Sequence, residues 1–153
     1  MDIEIIETGP MEERRRRRSE AHRATTYGRF LNELCDATVY EKSFAATAST
    51  VVLNCLEQRL ASGTVDHMEA QLTARLRELL EESRQPRALK PRKIHRIELL
   101  QMIADGLTLT MQEAEVVARN VLGAVRNHVS QGEAAQVEKQ LPDDLREFWW
   151  PLL

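Results

Sequence analysis

An arginine followed at once by a glutamate occurs twice, as Arg77-Glu78 and as Arg146-Glu147, in segments that otherwise read alike. A guanidinium is a planar fork of donors suited to two-point contact with a carboxylate or phosphate, so the pair could mark an anion site. The simpler reading is structural. Arg77 has Asp36 or Glu69 as an acid partner in its own half of the chain, and Arg146 has Asp105 or Glu138. A partly buried pair of that kind fixes how short helices dock, and losing one deeply buried partner costs about 3–5 kcal/mol. A second cationic feature is the run Arg14, Arg15, Arg16, Arg17 and Arg18. Five successive arginines cannot share one buried face. They read as solvated, with polyanion contact as the functional alternative.

The other chemistry-bearing residues do not assemble into a catalytic set. His22, His67, His95 and His128 stand in unrelated contexts, none four residues from another, which gives no metal site. Cys35 and Cys55 lie far apart among apolar residues and read as free buried thiols. There is no Gly-rich phosphate loop, nucleophile elbow or Walker sequence. The expectation is therefore no enzyme and no cofactor. The most concentrated apolar segment is the last one, Phe148-Trp149-Trp150-Pro151-Leu152-Leu153. Adjacent residues on a helix point about 100° apart, so two neighbouring tryptophans do not both enter one core. In the repeated segment Phe148 and Trp149 take the places of Leu79 and Leu80 and read as core or near-core, while Trp150, Leu152 and Leu153 either fold back over the protein or form an exposed patch; Trp149, Trp150, Leu152 and Leu153 are the possible interface residues.

The elements that must position these residues come from a repeat. Ser62 to Leu80 returns as Gln131 to Trp149 at a constant offset of 69 positions, with Gly63/Gly132, Glu69/Glu138, Gln71/Gln140, Leu72/Leu141, Leu76/Leu145 and both Arg-Glu pairs identical. The register extends upstream through Leu31/Leu100, Asp36/Asp105, Ala45/Ala114 and Leu53/Leu122. One structural unit used twice is the implication.

Each unit shows four helical stretches. In the first, Phe30, Leu31, Leu34 and Cys35 form one stripe; Lys42 to Ala61 is a longer helix ended by Ser62-Gly63; short helices follow around Val65, Met68 and Leu72, and around Leu76, Leu79 and Leu80. In the second, Ile94 to Ala104 is stopped by Gly106. Thr110-Met111-Gln112-Glu113 and Ser130-Gln131-Gly132-Glu133 are capping boxes, and a wide stripe runs from Ala114 to Val129. Pro142 starts the last helix.

The fold expected is all-α: two tandem homologous four-helix units packed as one compact helical domain. Residues 1–25 read as a disordered or frayed charged tail, 26–83 as the first repeat, 84–93 as a basic linker containing Pro, and 94–153 as the second repeat. Charge follows the same division. Residues 84–96 hold six cations and no acid, between blocks of net −4 (25–83) and −5 (97–153), within a chain of net −3.

Phe30-Leu31, the capped helix Thr110 to Val129, Ser130-Gln131-Gly132-Glu133-Ala134 and Gln140-Leu141-Pro142-Asp143-Asp144-Leu145-Arg146-Glu147-Phe148 together resemble a bacterial family, domain of unknown function 2267. The resemblance covers about residues 26–150. It implies a compact helical domain, often in tandem, and brings no activity, cofactor or catalytic residue. Thr73 and Thr64-Val65 depart from the pattern in the first copy. The functional expectation is a cytoplasmic, non-catalytic module acting through a protein partner or self-association, with no membrane span. The alternative is a nucleic-acid-associated protein using the arginine-rich tail and linker, although that stretch lacks aromatics for stacking bases.

Overall fold

Helix starts in this chain are set by side chains at a few positions, seen in a computed structural model that describes residues 9–84 and 90–150, with residues 19–25 as backbone only. Thr110 accepts a hydrogen bond from the Glu113 amide at 3.1 Å while the Glu113 carboxylate accepts from the Thr110 amide at 3.0 Å, a reciprocal box that begins a long helix. Thr73 caps a shorter one through the Leu76 amide, and Ser130 another through Glu133.

The elements among the described residues are α1 (Pro10–Asp36), α2 (Lys42–Glu57), α3 (Ser62–Ala70), α4 (Ala74–Ser83), α5 (Arg96–Leu107), α6 (Met111–His128), α7 (Gln131–Gln140) and α8 (Asp143–Arg146), which runs into a 3-10 turn at Glu147–Trp149. The fold is all-α.

Four expectations need correction. The helix carrying Phe30 and Leu34 begins at Pro10, inside the segment expected to be a tail, so the described part of that tail is helical. Pro10 fits a first turn that has no N–H to lose, Glu12 and Glu13 suit its positive end, and Arg17 pairs with Glu13 one turn away at 2.8 Å. Gly63 lies inside α3 rather than ending the preceding helix, and no described glycine has positive φ. Gly106 lies inside α5, which ends at Leu107 and is capped by Thr108, held left-handed at φ 56°. Gly106 is needed for closeness: a Cβ there would sit 2.8 Å from Val51 Cγ1 on α2. The Ser130 box is only half made, because the Ser130 amide donates to Gln71 Oε1 at 2.6 Å instead of to Glu133.

One continuous core joins the two halves. Helix α1 packs on α2, α4 and α6; α5 packs on α2 and α6; α2 meets α6, and α3 meets α7. Buried positions recur at the 69-residue spacing: Phe30 and Leu99, Leu34 and Ile103, Val52 and Val121, Leu56 and Val125, Leu72 and Leu141, Leu76 and Leu145, Leu80 and Trp149 are all interior. The polar ties between halves keep that spacing too. Gln71 Oε1 accepts from the Ser130 amide, and 69 positions on, Gln140 Oε1 accepts from the Ala61 amide at 2.7 Å. Ala61 and Ser130 are the residues preceding α3 and α7.

Replacing Gly106 by Ala sets a helix-propensity gain of about 0.5–1 kcal/mol against an overpacking cost of about 1–3 kcal/mol. Urea unfolding should show G106A less stable by about 1 kcal/mol, and V51A should turn the same change into a gain. A stabilising G106A in the otherwise unaltered chain would contradict the close packing of α5 on α2.

Candidate interaction surface and its charged clusters

The 3-10 turn after α8 brings its aromatic pair inward. Trp149 is buried and its indole N–H donates to the Ala134 carbonyl of α7 at 2.9 Å, which gives the polar end of an interior tryptophan its partner. Phe148 is buried beside it. Of the four expected interface residues, Trp149 therefore belongs to the core and Trp150 is exposed, at 63%. Leu152 and Leu153 lie outside the described residues.

Over Phe148 sits a quartet of charges. Arg96 at the start of α5 contacts both Glu115 of α6 and Glu147 of the 3-10 turn. Arg119, one turn beyond Glu115, reaches the same two carboxylates at 3.2 and 3.1 Å. The guanidinium carbons of Arg96 and Arg119 stand 4.7 and 5.0 Å from the centre of the Phe148 ring, within cation–π range. Each acid is bridged by both bases, so the group holds α5, α6 and the C-terminal turn together with no net charge. The Glu115 carboxyl is held below its ordinary range, first by the hydrogen bond from Arg119 and, against some desolvation, by the Arg96 guanidinium. The Arg96 amide also donates to Asp144 at 3.1 Å, tying the α5 start to α8.

Three exposed apolar side chains lie close in sequence to members of this quartet. Ile97 follows Arg96, Val116 follows Glu115, and Trp150 comes three residues after Glu147. Their exposures are 73%, 55% and 63%, and they are three of the five large apolar side chains exposed among the described residues.

A second ion cluster lies in the other half. Glu69 of α3 and Glu57 at the end of α2 are buried, and Arg84, just past α4, meets Glu69 at 2.6 Å and Glu57 at 3.9 Å. Burial works against the charge on Arg84, but the Glu69 hydrogen bond and the charges of Glu69, Glu57 and Glu81 outweigh it and raise its pKa.

The expected pairings fall out differently. Glu69 is met by Arg84, not by Arg77, which is half-buried on α4. Asp36 is exposed, and Asp105 is exposed and accepts from Gln101 at 2.8 Å. Arg146 pairs with Asp143 at 2.8 Å on the surface of α8. An Arg one turn from an acid of its own short helix reaches it at less entropic cost than an acid on another element. Arg14, Arg15, Arg16, Arg17 and Arg18 are exposed on α1.

Sequence reading missed Arg96, Arg119, Glu115, Arg84 and Glu57 as pairing residues. The four-residue spacing of Glu115 and Arg119 was a visible signal. The 51-residue separation of Arg96 and Glu147 gave none. Cys55 is buried, which pushes its thiol up to about 11, whereas Cys35 is only partly covered. Among the described residues no group of three or more His, Cys, Asp or Glu is placed to hold a metal, and no helix is long and apolar enough to cross a membrane.

Two measurements follow from these environments. Because the Glu115 pKa is depressed, the quartet's contribution is present above the ordinary glutamate range and is lost as pH falls through the lower folded value. Glu115→Gln should therefore lower stability at pH 7 and flatten the acid limb of stability against pH; an unchanged acid limb would show the quartet to be idle. For the thiols, a pKa of about 11 leaves on the order of 0.1% thiolate at Cys55 near pH 8. A disulfide reagent at that pH should label Cys35 well before Cys55, which should react only on unfolding; equal rates would contradict the burial.

A family model described as "Uncharacterized conserved protein (DUF2267)" matches residues 27–148, and the chain belongs to that family. No curated protein matches it in sequence.

Proposed function

We propose that this member of the family is a non-catalytic assembly module that binds a second copy of itself through the surface around Trp150. The observation that carries the reading is the exposure of Ile97, Val116 and Trp150, each within three residues in sequence of a member of one charge-neutral quartet. Exposed apolar groups gathered at one place on a surface are the usual mark of a contact face, with tryptophan the strongest anchor. Two arginines and two glutamates cancel, so the face does not repel its own copy. The cross-bridged quartet and the Phe148 ring beneath it also hold that surface in one arrangement before a partner arrives, which lowers the ordering cost of association.

Light scattering or sedimentation across a concentration series tests this directly. The expected result is a mass that rises from one chain toward two with concentration, and a Trp150→Glu variant that stays at one chain throughout. Because the quartet's charges pair within each chain, added salt should weaken association little. A single-chain mass at every concentration, or a W150E variant that associates as well as the parent, overturns the reading.

A further inference from the structure

We propose that a cleft between α1, the α3–α4 turn and the end of α6 binds a small oxyanion: the carboxylate or phosphate group of a low-molecular-weight ligand. The cleft has a volume of about 330 Å³ and is lined by Thr26 and Arg29 of α1, Gln71 to Ala74, and His128. That volume falls at the lower end of small-molecule sites, enough for a compact metabolite and too small for a peptide helix.

Its chemistry is one-sided. None of the lining residues is an acid. Arg29 is exposed and, among the described residues, forms no ion pair. It borders a cleft whose lining offers it no carboxylate, and a planar fork of five N–H donors is suited to two oxygens of one ligand group. Gln71 spends its carbonyl oxygen on the Ser130 amide, which fixes the side chain and leaves the carboxamide NH2 as a further donor.

His128 is positioned as well. Its ring meets the edge of buried Phe30 at 5.2 Å between centroids and 72° between planes, and Nε2 is engaged by Glu33. The bond to Glu33 settles the orientation of the ring and engages that carboxylate. Leu72, itself buried, supplies an apolar wall on which a short carbon skeleton could rest. Guanidinium and carboxamide are thus donors held by two different elements around one concavity, with the His128 ring of α6 as a further wall. No residue of the Arg96 quartet lines it, so the two surfaces are separable by experiment.

The test uses the full chain, labelled with nitrogen-15, titrated at constant ionic strength with inorganic phosphate in one arm and acetate in another, chloride serving as the reference salt. Saturable amide shifts confined to residues around Arg29, Gln71 to Ala74 and His128 support the site. The arm that saturates identifies the ligand group, and saturation in both assigns the shared oxyanion chemistry. Arg29→Gln should weaken the binding at least tenfold while leaving the remaining amide positions unmoved, and Arg146→Gln on α8 should leave binding unchanged. Absence of saturable shifts in both arms overturns the proposal, as does binding that R29Q leaves intact or that R146Q weakens equally.

Discussion

Where α3 and α7 begin is decided by a glutamine of the opposite half, and most of the remaining arrangement depends on that exchange. Gln71 takes up the Ser130 amide and Gln140 takes up the Ala61 amide, each bond made across the junction between halves. An amide at a helix start has no partner inside its own helix and has to find one nearby. A hydrogen bond of this type contributes about 1 kcal/mol net; at the part-buried Ala61 amide leaving the donor unmatched costs about 1–3 kcal/mol, whereas water can replace the bond at exposed Ser130. With α3 and α7 fixed against each other, Met68, Val137, Leu72 and Leu141 are carried into the shared interior. The short segments that follow, α4 in one half and α8 with its 3-10 turn in the other, then close over Leu76 and Leu145.

Packing is shared between the halves and charge is not. The buried apolar positions recur 69 residues apart almost throughout, whereas the ion clusters have no counterpart in the other half: Arg96, Glu115 and Arg119 correspond by that spacing to Tyr27, Ala46 and Thr50. A core tolerates substitutions that keep volume and pattern, which leaves surface charges free to differ. What each half presents to its surroundings therefore differs even where its interior is the same. One half carries the Arg96 quartet and the exposed Trp150; the other contributes Arg29 and the α3–α4 turn to the cleft that His128 completes from α6.

Much of the fold was legible in the sequence because it rests on periodicity. The stripes on α2 and α6, the Thr110 cap and the interior place of Phe148 follow from spacing alone. The glycines misled because glycine has two uses, and Gly106 serves close approach to Val51, not a left-handed turn; nothing local distinguishes the two. Helix α1 was cut short in the reading because an arginine run looks like a tail, although Gly9-Pro10 followed by two acids is a helix start. The partner of Glu69 was misassigned since Arg77 is nearer in sequence and recurs in the repeat, while Arg84 follows α4 and arrives only once the helices are packed. The candidate surfaces were least visible. Arg96, Glu115 and Glu147 become neighbours through tertiary packing, and single arginines such as Arg29 carry no sequence mark that separates a ligand contact from a solvated charge.

That the two halves share one interior can be tested by placing a defect in one and observing the other. Both tryptophans, Trp149 and Trp150, belong to the second half, so indole fluorescence reports on that half while far-ultraviolet circular dichroism reports helix throughout. Leu53→Ala removes a buried side chain from α2 and should cost about 2–5 kcal/mol. Expected is one cooperative denaturant transition by both probes, with the fluorescence midpoint falling together with the dichroism midpoint. A fluorescence transition that stays at its original midpoint while the dichroism splits into two steps would show two bundles with separate interiors, and would contradict the shared core.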